Sequence, residues 1–269
     1  MELQEILERI SSLFPEVDES MTREDVPVTG RWTYIPSLGS ANETVVVRRT
    51  VELWAANHQN ELPGIIIQRA GRAYPDGCLE RPYVSGIYNR GGRADLGITT
   101  HSSTFQNEIE WIIEFKKFET VGDSGGKNQS QEAAIAKLLS PWPMTHGILY
   151  DALRIRSHPE GARKAIIMYG FSYDNDVVHH AENHQRNEDE MEAGRACNRS
   201  ENLRNLMQSN NNIPINFLEL IPDFERSCAV RGVSLGERCQ SQFQHLPSHP
   251  IHIRGDIVAW EVLETEDEV

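Results

Sequence analysis

EIEWIIEFKKF, residues 108–118, is the most apolar strand-like stretch of the chain. Side chains alternate across a strand, so Ile109, Trp111, Ile113 and Phe115 share one face, and Ile112, Glu114, Lys116 and Phe118 the other. An ExK on a polar strand is usually a solvated edge or a cross-strand ion pair. Here the flanking residues are apolar, and an ionised group in such surroundings is costly unless paired or metal-bound. Glu114 and Lys116 are therefore candidates for chemistry.

Upstream, Asn89-Arg90-Gly91-Gly92 carries turn chemistry between strands predicted at 83–88 and 93–100, the second of which contains Asp95. The β-branched run GIIIQRAG (64–71) predicts a buried strand, preceded by a helix at 51–61 that stops before Pro63. Residues 15–48 read as irregular. Leu3, Ile6, Ile10 and Leu13 form one stripe of a first helix predicted to end before Pro15.

Downstream, VGDSGGKN (121–128) leads into a helix predicted at 129–139, with Gln131, Ile135, Leu138 and Leu139 on the stripe facing the sheet. Pro141 ends it. A buried strand is expected at 164–171, and a polar, solvated helical region at 177–209. INFLELI (215–221) and IHIRGDIVAWEVL (251–263) read as strands, and ETEDEV (264–269) as a frayed end.

Hydrolysing a phosphodiester needs a cation to neutralise charge, a positioned water and help for that water to lose a proton. Asp95 and Glu114 on adjacent strands, with the Phe115 carbonyl, make a half-shell suited to magnesium, with manganese as a substitute. Lys116 would face the attacking water, either orienting or deprotonating it.

The arrangement RADLGI (93–98) followed by IEWIIEFKK (109–117) resembles the PD-(D/E)xK nuclease superfamily, Asp95 and the Glu114-Phe115-Lys116 triplet matching its motif. The likeness covers about 50–172, where the order of predicted elements is similar to the family core, with one extra strand near 83. Ala94 stands where the family has proline, and 18 residues separate Asp95 from Glu114. The resemblance implies catalytic roles for Asp95, Glu114 and Lys116, and products carrying 5′-phosphates. Some members add a helix glutamine and an acid on the preceding helix, for which Gln131 and Glu52 are the candidates.

The loop GDSGGK fails the phosphate-loop spelling, because Val121 replaces the first glycine and Asn128 the Ser or Thr that holds magnesium. It instead brings Lys127 to a position from which it could meet a phosphate. Cys228, Cys239, His245, His249 and His252 are zinc-capable but loosely spaced, without a CxxC pair, and His179, His180 and His184 read as a solvated helix face. Arg90 and Arg93, and the basic stretch Arg154, Arg156, His158, Arg163 and Lys164, are the candidates for DNA backbone contacts.

The net charge of −14 on 269 residues repels a phosphate backbone unless positive charge is locally concentrated. It counts against a general nucleic-acid coat protein, but not against a nuclease whose acidic cluster is offset by bound cations. No apolar run reaches the roughly 20 residues that span a bilayer. The first 14 residues lack the basic region of a signal peptide, so a cytoplasmic protein with free thiols is expected.

The expectation is thus a single decorated α/β domain over 1–269, with a mixed central sheet flanked by helices and a restriction-endonuclease-like core. Its expected function is that of a magnesium-dependent endonuclease acting as a homodimer on double-stranded DNA. A structure-directed repair or recombination nuclease, and a non-catalytic nucleic-acid-binding or assembly protein that keeps the fold, stay open.

Overall fold

The apolar stripe that begins at Leu3 does not stop at Pro15. In this computed structural model, which describes residues 1–26, 28–29, 32–33, 35–58, 95–98, 111–122, 131–142, 147–156, 162–183, 199–208, 214–244, 246 and 248–263, helix α1 spans Leu3–Ser20. Proline inside a helix costs about 3 kcal/mol through a lost hydrogen bond and crowding of the preceding turn. Leu13, Phe14 and Val17 continue the buried stripe of Leu3, Ile6, Leu7 and Ile10. Each large apolar side chain buried contributes about 1.5–3 kcal/mol, so packing outweighs the proline.

The stretch read as irregular contains a two-stranded antiparallel ribbon, β1 (Val28–Thr29) with β2 (Trp32–Thr33), and most of helix α2 (Glu43–Asn57). The helix predicted at 51–61 therefore begins earlier, because Val46, Val47, Thr50, Val51 and Trp54 form one buried stripe that crosses the expected boundary.

Six strands form the main sheet: β3 (Leu96–Ile98), β4 (Trp111–Phe118), β5 (Arg163–Phe171), β6 (Ser234–Leu235), β7 (Cys239–Phe243) and β8 (Gly255–Leu263). The order is β3-β4-β5-β8-β6, with β7 also paired to β8. Only β4 and β5 run parallel, in the register Glu114↔Ile166; the other pairings are antiparallel, so the sheet is mixed. A parallel pair needs a long crossover, here supplied by α3 (Gln131–Leu139) and α4 (Ile148–Arg156).

Over Trp111–Phe118 the alternation is borne out, with both faces largely buried, while Ile109 lies outside the described residues. Trp111, Ile113 and Phe115 join Ile167, Tyr169, Phe171, Ile257 and Ala259 beneath α1 and α2. Phe14 of α1 is central there, with its ring centroid 5.2 Å from that of Tyr169 and 5.0 Å from that of Phe243. Ile112 and Phe118 join Ile166, Met168, Val258 and Trp260 beneath α3, α4 and a helix at Ile221–Val230. The result is a mixed α/β fold, a central sheet with helices on both faces.

INFLELI is not a strand. A 3₁₀ turn at Phe217–Leu220 leads into α7 (Ile221–Val230), where Pro222 suits the first helical turn and Leu220, Ile221, Phe224 and Cys228 recur at helical spacing on the buried side. The polar region at 177–209 holds α5 (Asn175–Asn183) and α6 (Arg199–Gln208). The strands predicted at 64–71 and 83–88 lie outside the described residues. Among the described residues, no helix is long and apolar enough to cross a membrane.

Candidate active site

Strand β3 is short, and pairs with β4 only at Trp111, Ile112 and Ile113. Beyond that point, among the described residues, two carboxylates take backbone N–H groups on the outer edge of β4. Asp95, just before β3 and so opposite Glu114, accepts the Phe115 N–H through Oδ2 at 3.0 Å. Glu43, the first residue of α2, accepts the Lys117 N–H through Oε1 at 3.0 Å. In a strand the N–H and C=O of one residue leave on the same side, so the Phe115 carbonyl shares this edge with Asp95.

Glu114 and Lys116 project from the opposite face of β4 to Phe115, towards α4. The Glu114 carboxylate is 1% exposed and receives a hydrogen bond from Arg154 Nη2 at 2.6 Å. Lys116 Nζ lies 3.1 Å from Asp151 Oδ2 and 3.4 Å from Glu43 Oε2. Asp151 and Arg154 sit three residues apart on α4, hence on one face of it, 3.0 Å from each other. Lys137, in the last turn of α3, lies 3.7 Å from Glu43 at the more exposed rim.

Four carboxylates, Glu43, Asp95, Glu114 and Asp151, thus face Lys116, Arg154 and Lys137. Burial pushes the Glu114 carboxyl well above the usual carboxylate range, and the neighbouring charges of Asp95 and Asp151 push the same way. Burial likewise raises Asp95, against the pull of Lys116 and of the Phe115 N–H. Glu43 is held below its ordinary value: burial acts upward, but Lys116, Lys137 and the Lys117 N–H prevail. Burial alone would lower Lys116, yet Glu43 and Asp151 hold it above the usual lysine range, so it is a firm cation.

Among the described residues, no group of three or more His, Cys, Asp or Glu side chains is arranged to hold a metal ion. A magnesium ion asks for less than that, since one or two carboxylates suffice when water and substrate phosphate complete the shell. Asp95 and Glu114 fit such an ion: both are hard oxygen donors, Glu114 buried and Asp95 half-buried, and the charge of Asp95 raises the proton affinity of Glu114.

No family model, curated protein or solved structure matches this chain.

The residues singled out in the sequence are distributed unevenly about this centre. Asp95, Glu114, Phe115 and Lys116 come together. Gln131 opens α3, with its side chain outside the described ones, and Arg90, Arg93 and Lys127 lie outside the described residues. Glu52 is not at the site: it pairs with Arg48 and Arg49 on its own helix, and the acid that α2 does contribute is Glu43.

The described residues of the basic stretch have partners within the chain, and His158 lies outside the described residues. Arg154 is in the cluster, Arg156 Nη1 donates to the Gly232 carbonyl at 2.7 Å, and Lys164 is buried with Nζ on the Arg156 carbonyl. Arg163 pairs with Glu2 and Glu261 and lies over the Trp111 ring.

The zinc-capable residues do not converge. Cys228 is buried on the α7 side of the sheet, while His249 and His252 stack on each other on the α1 side, where His252 Nε2 donates to the Val121 carbonyl at 3.0 Å. His179 pairs with Glu182 on an exposed face of α5, and His184 and His245 lie outside the described residues.

Sequence reasoning missed Glu43, Asp151 and Lys137. For Asp151 a signal existed: Ile148, Leu149, Ala152 and Ile155 are an apolar helical stripe, which places Asp151 and Arg154 together on its flank.

Proposed function

We propose that the chain is a magnesium-dependent deoxyribonuclease with a restriction-endonuclease-like core, cutting double-stranded DNA as a homodimer. The observation that carries the reading is the meeting of Asp95, half-buried just before β3, and Glu114, buried on β4, with Lys116 beside them. Asp95, Glu114 and the Phe115 carbonyl would hold the metal, with Glu43 in reach of Lys116. When bound, such an ion lowers the pKa of water and offsets charge on phosphate.

Lys116 supports the orienting role over the basic one. A lysine flanked by Glu43 and Asp151 keeps its proton, so it can hold a water or steady developing charge but does not accept a proton. Glu43 and Asp151 fix the lysine from two sides, which is the positioning that hydrolysis needs.

A second reading is favoured by one observation: in this arrangement Glu114 and Lys116 each already have a partner of opposite charge on α4. On that reading the cluster is a structural ion network in a non-catalytic nucleic-acid-binding or assembly protein.

Incubating supercoiled plasmid and phage DNA with magnesium, manganese or EDTA separates the readings, with wild type run beside Glu114→Ala. Discrete metal-dependent fragments, absent from the variant, are the expected result. Nonspecific degradation points to a repair-type nuclease, and no cleavage under any condition points to the non-catalytic protein.

A further inference from the structure

We propose that Arg154 is an internal counter-ion that occupies the cation position at Glu114 in the metal-free protein and leaves it when a divalent cation binds. Helix α4 then sets the metal affinity of the site. This inference rests on the metal-site reading above.

Arg154 Nη2 lies 2.6 Å from Glu114 Oε1 and 3.0 Å from Asp151 Oδ1, a charge-assisted contact at the short end of the range for N–H donors. The two partners differ in their freedom. The Glu114 side chain is 1% exposed and projects from the middle of a sheet strand, so it cannot turn to water and must be neutralised in place. The Arg154 side chain is 17% exposed and rises from the last turn of α4, where a cation is also favoured by the helix dipole.

The Tyr150 ring, with its centroid 5.8 Å from Arg154 Cζ, offers the guanidinium a cation–π contact away from Glu114. Asp151 and the Tyr150 ring thus hold the arginine independently of Glu114, the candidate metal ligand. A guanidinium and a divalent cation at the same carboxylate repel each other strongly in a buried setting. Each therefore weakens the other's hold on Glu114.

Lys116 gives the same helix a second hold. Asp151 binds Lys116 through one oxygen and Arg154 through the other, so departure of Arg154 leaves Asp151 as a partner for the lysine alone. Metal entry and the firm seating of Lys116 become one event. While Arg154 sits on Glu114, the apparent metal affinity is reduced by the fraction of molecules in which the carboxylate is free.

The test is calorimetric titration of the full chain with manganese, at alkaline pH so that a proton does not replace the lost guanidinium. Wild type is compared with Arg154→Gln and Arg154→Lys. The glutamine variant is expected to bind manganese about tenfold more tightly than wild type, because the competing ion pair is gone. The lysine variant, which keeps the charge without the planar fork, should fall between.

Affinities equal to or weaker than wild type in both variants overturn the proposal. Wild type that binds no manganese overturns the metal-site reading itself, a result that needs no variant and is told apart for that reason. Should neither variant fold, the ¹⁵N resonances of the Arg154 guanidinium in wild-type protein are followed during magnesium addition. They are expected to shift with the midpoint of binding, and resonances that stay still count against displacement.

Discussion

Asp95 Oδ2 and the Phe115 backbone nitrogen are 3.0 Å apart, so a carboxylate accepts an edge N–H of β4 next to the last described β3 pairing. The same side chain then has two separable duties, accepting that N–H and holding a metal. Asp95→Asn keeps an oxygen for the N–H and sheds a buried charge, so its stability in metal-free buffer should stay within about 1 kcal/mol of wild type. Asp95→Ala leaves the N–H without that acceptor and should cost about 1–3 kcal/mol. Both should lose metal binding. Urea denaturation beside a manganese titration checks the split, and an Asn variant that unfolds like the Ala variant would sink it.

Lys116→Ala should keep metal and DNA binding while cleavage falls by about 10²–10⁴-fold, because it removes a water-orienting group and not a ligand. It should also lower the stability of the metal-free protein, since Glu43 and Asp151 lose the cation between them. Single-turnover cleavage and DNA binding in calcium measure the first part, thermal melting the second. Cleavage at the wild-type rate removes Lys116 from the reaction.

The pH dependence of stability should carry two opposite contributions. Asp95 and Glu114 have raised proton affinities when folded, so what they contribute is fully present below the unfolded carboxylate pKa and is lost as pH rises through the folded value. Asp25 runs the other way: burial acts upward, but hydrogen bonds from Arg49 and Thr22 hold its carboxyl low. Its contribution is present above the unfolded value of about 3.9 and is lost as pH falls through the folded one. Asp25→Asn should therefore lose stability at neutral pH and match wild type in acid. Added magnesium should cancel the loss that wild type shows towards alkaline pH, and melting curves with and without the ion decide this.

Gly39 should not tolerate a side chain. A Cβ there would run into the ring of His252, a fully buried group stacked between Phe171 and His249. The Gly39 and Ala41 carbonyls both accept from Lys117 Nζ, so the loop that delivers Glu43 to the site is anchored at this point. Gly39→Ala should cost about 1–3 kcal/mol, as overpacked cores do. It should also weaken cleavage by displacing Glu43. A melting temperature equal to wild type would mean that the ring moves aside freely.

Much of the sheet and half of the site were legible in the sequence, for a common reason. Strand β4 is apolar on both faces, so its period-two pattern stands out and its two charged residues are conspicuous. Asp95 was found because a turn and a strand frame it. Glu43 and Asp151 were not, because an ion pair between distant positions leaves no periodic trace, and an acid at a helix start reads as capping.

The failures at Pro15 and at 215–221 are of another kind. There a local signal was read correctly, but a longer stripe decided the outcome: Phe14 and Val17 in α1, Phe224 and Cys228 in α7.

Helix α1 is made long before some of its partners. Phe14 meets Phe243, and Ser11 Oγ lies 2.8 Å from Ser241 Oγ, across more than two hundred intervening residues. At about 5–20 residues per second, a ribosome takes on the order of 10–50 s to travel between them. During that interval β4 and its charged residues have emerged while the face beneath α1 still lacks β7 and β8. A nascent chain of this fold thus carries every side chain of the site for many seconds before it has the floor that would hold them still.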